Sequence, residues 1–235
     1  MKKNFLTLFF LLMCSIIKAQ NVECKYISST VIPEDVKNIE DINIRNAVIN
    51  QLSNRKQLFS LKFSNGKYLF EAIPDNQNNS NIMSIGVSSI IYMDINKDMA
   101  ISQESILDRT FLIKETIKKY SWDITTETKE ILGKSCTKAI LKDNSSIVAW
   151  FTTEIPVSFG PMGYYGLPGL ILQMKTENKD YLIQNVTLPK ENLLIEPPTK
   201  GKEITREEFE ILKKKKQENL GINKANGNRV KIIKM

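Results

Sequence analysis

Asn65-Gly66, set between two runs of alternating apolar and polar residues, constrains this chain more than any other feature. A two-residue hairpin loop needs positive φ at both positions, and Asn-Gly supplies it with least strain. Closing the loop there pairs Phe63 with Tyr68, Leu61 with Phe70 and Phe59 with Ala72, all on one face. Ser60, Lys62, Ser64, Lys67 and Glu71 take the other face. One side is wet and one is covered, which predicts an antiparallel sheet with a single buried face.

The alternation returns downstream. Ile85, Val87, Ser89, Ile91 and Met93 share a face, and Tyr120, Trp122 and Ile124 alternate with Ser121, Asp123 and Thr125. Gly133 breaks that run before a strand over 136–141. Asp143-Asn144 predicts a turn into 147–151, and 170–175 with 181–186 form a further pair. At least seven strands on short turns predict a mainly β fold. The expected form is a single curved antiparallel sheet, half-barrel or bowl-like, with few helices. Residues 36–57 read as a short helix or as a strand with a loop, the helix being preferred.

Histidine is absent, which excludes Ser-His and Cys-His catalysis and every His-ligated metal. No nucleophile elbow and no phosphate loop is present. Asp94, Asn96 and Asp98 match the start of a calcium loop, but its later Gly and Glu are missing, so a turn is expected there. No cofactor and no metal is expected.

Residues 1–19 have the three parts of a secretory signal: Lys2 and Lys3, an apolar run over 5–17, and a small residue at Ala19. The run is shorter than the ~20 residues that a spanning helix needs. Cleavage near Ala19 would leave an exported chain with no later span, periplasmic or extracellular. The leader holds three lysines and no acid, so the formal charge falls from +7 to +4. Residues 200–235 carry 11 basic and 5 acidic residues, so the basicity belongs to the tail. An exported chain with a basic tail is not expected to bind nucleic acid.

Export also permits disulfides. Cys24 and Cys136 remain in the mature chain, and joining them would close a loop worth about 4–5 kcal/mol of chain entropy. The alternative is two thiols buried as small hydrophobes.

Pro189, Pro197 and Pro198 predict an extended exit from a β domain over 20–190. Residues 191–235 then read as a Pro-containing linker and a basic helical tail. Thr205 and Glu208 form a capping box for a helix from Arg206 to about Glu218, ending near Gly221. Lys213–Lys216 are consecutive within it. They read as a solvated face or, more sharply, as a contact for anionic lipid or surface polysaccharide.

The most specific stretch runs from Ala149 to Ile171. A strand ends at Phe151, and a connection rich in Pro and Gly returns to a strand at Leu170. Prolines fix φ and glycines permit positive φ, so one irregular path is expected, packed on the sheet through its apolar residues. Trp150, Glu154, Pro156, Phe159, Tyr165, Gly166, Leu167, Pro168 and Gly169 are the candidate binding residues of this loop.

The hexapeptide Gly166–Ile171 resembles the signature of the GLPGLI family of small secreted bacterial proteins. The preceding run, from Ala149-Trp150-Phe151 through Glu154-Ile155-Pro156 to Gly160-Pro161, is similar to that family's second signature. Trp122, Gly133 and Cys136 resemble the strand pair before it. The family has no established activity, so the resemblance implies a compartment and a class but no reaction. Two weaker likenesses are to the exported lipoprotein-carrier fold and to the bowl-like N-terminal domain of some secreted peptide-N-glycosidases.

The expected function is that of an exported non-enzymatic binding or carrier protein, for an apolar or lipid-like ligand. The alternative is an accessory of an outer-membrane complex that docks on an envelope protein through its basic tail. For an enzyme, the acids nearest the motif are Asp123 and Glu154, whose apolar neighbours would have to raise their pKa values.

Overall fold

The computed structural model describes residues 21–74 and 85–219, with the side chains of 85–89 excepted. The expected signal peptide and the expected helix end near Gly221 lie outside the described residues, as do the side chains of Ile85, Val87 and Ser89.

Among the described residues twelve strands form one open sheet, and three α-helices accompany it. The strands are β1 (Val22–Thr30), β2 (Gln57–Ser64), β3 (Lys67–Ala72), β4 (Ile85–Asp94), β5 (Met99–Ile106) and β6 (Arg109–Thr116). They continue as β7 (Trp122–Ile131), β8 (Lys134–Leu141), β9 (Val148–Thr152), β10 (Leu170–Lys175), β11 (Lys179–Thr187) and β12 (Lys202–Ile204). The helices are α1 (Glu34–Lys37), α2 (Ile42–Ser53) and α3 (Arg206–Asn219). Their order across the sheet is β12-β6-β5-β4-β3-β2-β1-β11-β10-β9-β8-β7. Every pairing is antiparallel except β12 on β6. The mainly β expectation holds, with the parallel β12 as an addition to it.

The hairpin forms in the expected register, with φ of 51° at Asn65 and 74° at Gly66. Directly paired residues share a face, so the ladder can be followed across strands. One row runs Cys24, Leu61, Phe70, Ile91, Ser102, Ile113, and a second runs Val22, Phe63, Tyr68, Met93, Ala100. These rows line the covered face, and apart from Ser102 and Ile113 they form the main core with Tyr26, Phe59, Phe151 and Ile171. The hairpin of β5 and β6 turns at Leu107 (φ 58°) and Asp108, with no glycine to announce it.

The chain leaves β11 and crosses the opposite face as a strap. Asn21 Nδ2 donates to the carbonyls of Pro189 and Glu191, and the Leu193 amide donates to Ser64 Oγ at 3.1 Å. Ile195 and Leu193 then cover Tyr92, Ile101 and Leu112. The strap ends in β12, and α3 turns back onto the covered face, where Phe209 packs on Phe111 and Ile113. The predicted capping box is present: the Thr205 amide donates to Glu208 Oε2 at 3.0 Å, and the Glu208 amide donates to Thr205 Oγ1 at 3.2 Å. Arg206 fixes the helix with Nη1 on Glu104 Oε1 (2.7 Å), and Nη2 on Ser102 Oγ (2.9 Å) and Glu115 Oε2 (2.8 Å). The residues expected to form linker and tail thus pack on the sheet through Leu193, Ile195, β12 and the first turn of α3 at Arg206 and Phe209.

The possible disulfide does not form. Cys24 and Cys136 are both free and buried. They lie on β1 and β8, four strands apart in the sheet order, and no S–S link joins them. The mature protein should therefore show the same mass with and without reductant. Neither thiol should react with a thiol reagent until the chain is unfolded, when both should. A mass 2 Da lower before reduction (two hydrogens lost on S–S formation) would contradict this.

Candidate functional site

The connection from Thr153 to Gly169 is irregular, and its path follows from its prolines and glycines. Pro156 is the middle residue of a three-residue turn closed by the Val157 amide on the Ile155 carbonyl (2.8 Å). Pro168 has the same place between the Leu167 carbonyl and the Gly169 amide (2.8 Å). The fixed φ of proline suits the centre of such a turn. Between them the chain folds back on itself: Phe159 and Tyr165 bridge, and the Gly160 amide donates to the Tyr164 carbonyl at 2.8 Å. The tip passes through Met162 (φ 57°) and Gly163 (φ 75°).

This hairpin-like loop is a plug. Ile155, Val157, Phe159 and Leu167 are all buried in the main core. Tyr68 Oη, from the middle of the sheet, donates to the Gly160 carbonyl (2.8 Å) and accepts from the Gly163 amide (2.9 Å). Tyr26 Oη donates to the Ile171 carbonyl at 2.7 Å, and Trp122 Nε1 donates to the Tyr165 carbonyl at 2.9 Å.

The plug also reveals how far the sheet coils. A methyl placed on Gly163 would lie 3.4 Å from Ile91 on β4, and one on Gly166 would lie 3.9 Å from Trp122 on β7. In a flat sheet those strands, eight steps apart, would be separated by about 38 Å. Three residues of plug span at most about 11 Å. The sheet must therefore curl around the plug, as a half-barrel does.

The candidate residues divide among three environments. Phe159 and Leu167 are buried under the plug, and Gly169 is pressed against the Thr152 carbonyl. Tyr165 is half-buried in an aromatic rim with Tyr120, Trp122 and Tyr164, where Tyr120 and Tyr164 lie 4.7 Å apart between centroids. Pro156, Gly166 and Pro168 are exposed on the plug's outer side. Trp150 is not part of this group: it pairs with Lys138 and Gln173, on the face opposite Phe151. Lys129 Nζ sits 4.2 Å over its ring and donates to Gln173, which in turn donates to both oxygens of Asp180.

The two acids do not have the environment that a general acid needs. Glu154 accepts from Lys134 Nζ at 3.0 Å, and this bond holds its carboxyl below the usual range rather than above it. Asp123 is exposed and paired with Lys142 at 3.3 Å. Asp94, Asn96 and Asp98 build a turn, with Asp98 at φ 48°. Among the described residues no cluster of Cys, Asp and Glu could hold a metal ion.

Sequence reasoning did not single out Tyr26 and Tyr68 as the pins of the plug. Their hydroxyl partners lie 145 and 92 residues away, so no local pattern marks them. Their burial has a consequence at high pH. Burial pushes Tyr26 and Tyr68 well above the ordinary phenol value, Tyr181 up to about 12, and the Cys24 thiol up to about 12. Each group then keeps its proton longer in the folded chain than in the unfolded one. Stability from these groups is complete below the unfolded pKa values and is lost as pH rises through them toward the folded ones. Stability should hold to about pH 8 and then fall, Cys24 first and the tyrosines above about pH 10, by up to about 1.4 kcal/mol per pH unit for each group, read as a falling melting temperature. A flat profile to pH 11 would contradict the burial of these hydroxyls.

The fold and the plug define a class: an open, coiled β sheet closed on its inner face by a motif loop. Residues 140–173, which span that loop and its flanking strands, match the family described as "Protein of unknown function (Porph_ging)". Among curated proteins none matches the chain. Two crystal structures of PNGF-II, in space groups P21 and C2, are similar in fold, with TM-scores of 0.56 and 0.54 at 15% and 16% identity. Each similarity covers 85% of this chain but 34% of the other, so the chain spans about a third of that protein's length. At such identity the likeness is one of fold alone.

Proposed function

We propose that this is an exported, non-enzymatic interaction protein of the GLPGLI type, which docks on an envelope component through its basic C-terminal helix. The observation that carries this reading is the plug: the motif loop uses its apolar side chains to fill the inside of the sheet. An interior carrier would need that space for its ligand, and would need the plug to leave. The support for docking is α3, which Phe209 and Arg206 anchor while Lys214, Lys215 and Lys216 stay exposed. The ion-paired states of Glu154 and Asp123 favour a non-catalytic role.

The test is native mass spectrometry of the mature chain from an exporting host, followed by organic extraction. The expected result is a bare protein mass. A stoichiometric lipid released by solvent would overturn the reading in favour of an interior carrier. In the producing cell, the Lys214→Gln, Lys215→Gln, Lys216→Gln variant should also wash off the envelope fraction more readily than the parent.

A further inference from the structure

We propose that Arg55, Lys179 and Thr30 form a binding site for a small oxyanion of the phosphate class. The site is separate from α3, so it does not depend on the docking reading. It stands at the end of the sheet away from the plug. The plug joins the end of β9 to the start of β10, whereas Lys179 opens β11 just after β10 has ended. There Thr30 closes β1 and pairs with Lys179, two residues beyond the buried pair of Ser28 and Tyr181. β2 enters on the other side of β1 with Gln57 opposite Ser28, so Arg55 arrives at the Thr30 end. A residue with a small hydroxyl side chain thus has a cation on each side.

Both cations are half-buried, and among the described residues neither is paired with a carboxylate. Other half-buried lysines are paired: Lys134 holds Glu154 at 3.0 Å, and Lys138 holds Glu127 at 2.7 Å. Lys179 Nζ has only the Thr30 hydroxyl, at 3.3 Å. Burial lowers the Lys179 ammonium from its ordinary value, and the Arg55 charge lowers it further. Two half-buried like charges with nothing between them cost stability, and an anion held by both offsets that cost. Thr30 Oγ1 accepts from Lys179, which leaves its own proton free to donate. Arg55 can give two parallel bonds and the ammonium can give more. Donors from β11, from β1 and from the residues before β2 suit the tetrahedral oxygens of phosphate better than the planar pair of a carboxylate.

The experiment is titration calorimetry of the full mature chain with inorganic phosphate, glycerol phosphate and acetate, at neutral pH and fixed ionic strength. One phosphate per chain is expected to bind, and acetate more weakly. Equal affinity for the two phosphates would mark a site for the free ion. Tighter binding of the ester would mark a site for the head group of a larger molecule, and either result supports the proposal. Arg55→Gln and Lys179→Gln should each weaken phosphate about 10-fold or more. Lys56→Gln, an exposed neighbour, should change it by no more than about 2-fold. Thermal melting supplies a second readout. Without phosphate, Arg55→Gln should melt no lower than the parent, because it removes the repulsion on Lys179. In phosphate the parent should gain and the variant should not. Absence of phosphate binding would overturn the proposal, as would acetate binding as tight as phosphate. So would a melting temperature that phosphate raises equally in the parent and both variants, since that is general salt exclusion.

Discussion

Replacing Gly169 with alanine, a methyl in place of one hydrogen, should lower the melting temperature by roughly 6–20 °C. The added Cβ would sit 1.9 Å from the Thr152 carbonyl oxygen and 2.7 Å from its carbon. Both are backbone atoms of β9, so no side chain can swing aside. The strands joined by the plug would have to part at the Leu170–Thr152 pair, at a cost of about 3–5 kcal/mol. Gly133→Ala is the matched control. Its φ is +70°, but nothing lies within 4 Å of the new methyl, so only the left-handed strain of about 1–2 kcal/mol applies. Equal melting temperatures for the two variants would contradict the close approach of plug and sheet.

Tyr68→Phe is the second large effect, and it acts through hydrogen bonding alone. The lost hydroxyl leaves the Gly160 carbonyl and the Gly163 amide without their partner in the core. Each orphaned group costs about 1–3 kcal/mol, so a loss of about 2–6 kcal/mol is expected in urea unfolding. Tyr26→Phe orphans one backbone group, the Ile171 carbonyl, and should cost about half as much. If Tyr68→Phe were as stable as the parent, the tip of the plug would not be pinned to the sheet.

Much of the fold was legible because its strongest signals are local. Asn65-Gly66 set the β2–β3 register, Thr205 and Glu208 marked the start of α3, and Asp143-Asn144 marked the turn into β9. The β5–β6 hairpin was not, because Leu107-Asp108 takes its turn without Asn-Gly or any glycine. Strand β1 alternates plainly through Val22, Cys24 and Tyr26. Nothing local says that it lies between β2 and β11, the latter with paired residues 149 to 164 positions away. The strap was read as a linker because its prolines do signal extended chain. What turns it into packing is Ile195, whose partners Tyr92, Ile101 and Leu112 come from three other strands.

For the candidate site the limit was direction. The motif announced an irregular rigid loop, and that loop exists. Whether Phe159 and Leu167 face a ligand or the core depends on the coil of the sheet, which no spacing in the chain encodes. Trp150 shows the same limit in reverse. It adjoins Phe151 in sequence, and the two-residue period of a strand sends it to the other face, onto Lys129.

Amide hydrogen exchange across residues 155–171 tests the central claim most directly, since a plug built into the core must open only when the sheet does. The amides of Gly160, Leu170 and Ile171, bonded to the carbonyls of Tyr164, Ile155 and Phe159, should be protected as strongly as those of β1 and β2. Exchange of these amides at loop rates while β1 and β2 stay protected would contradict it. That result would make the segment a lid over an interior site.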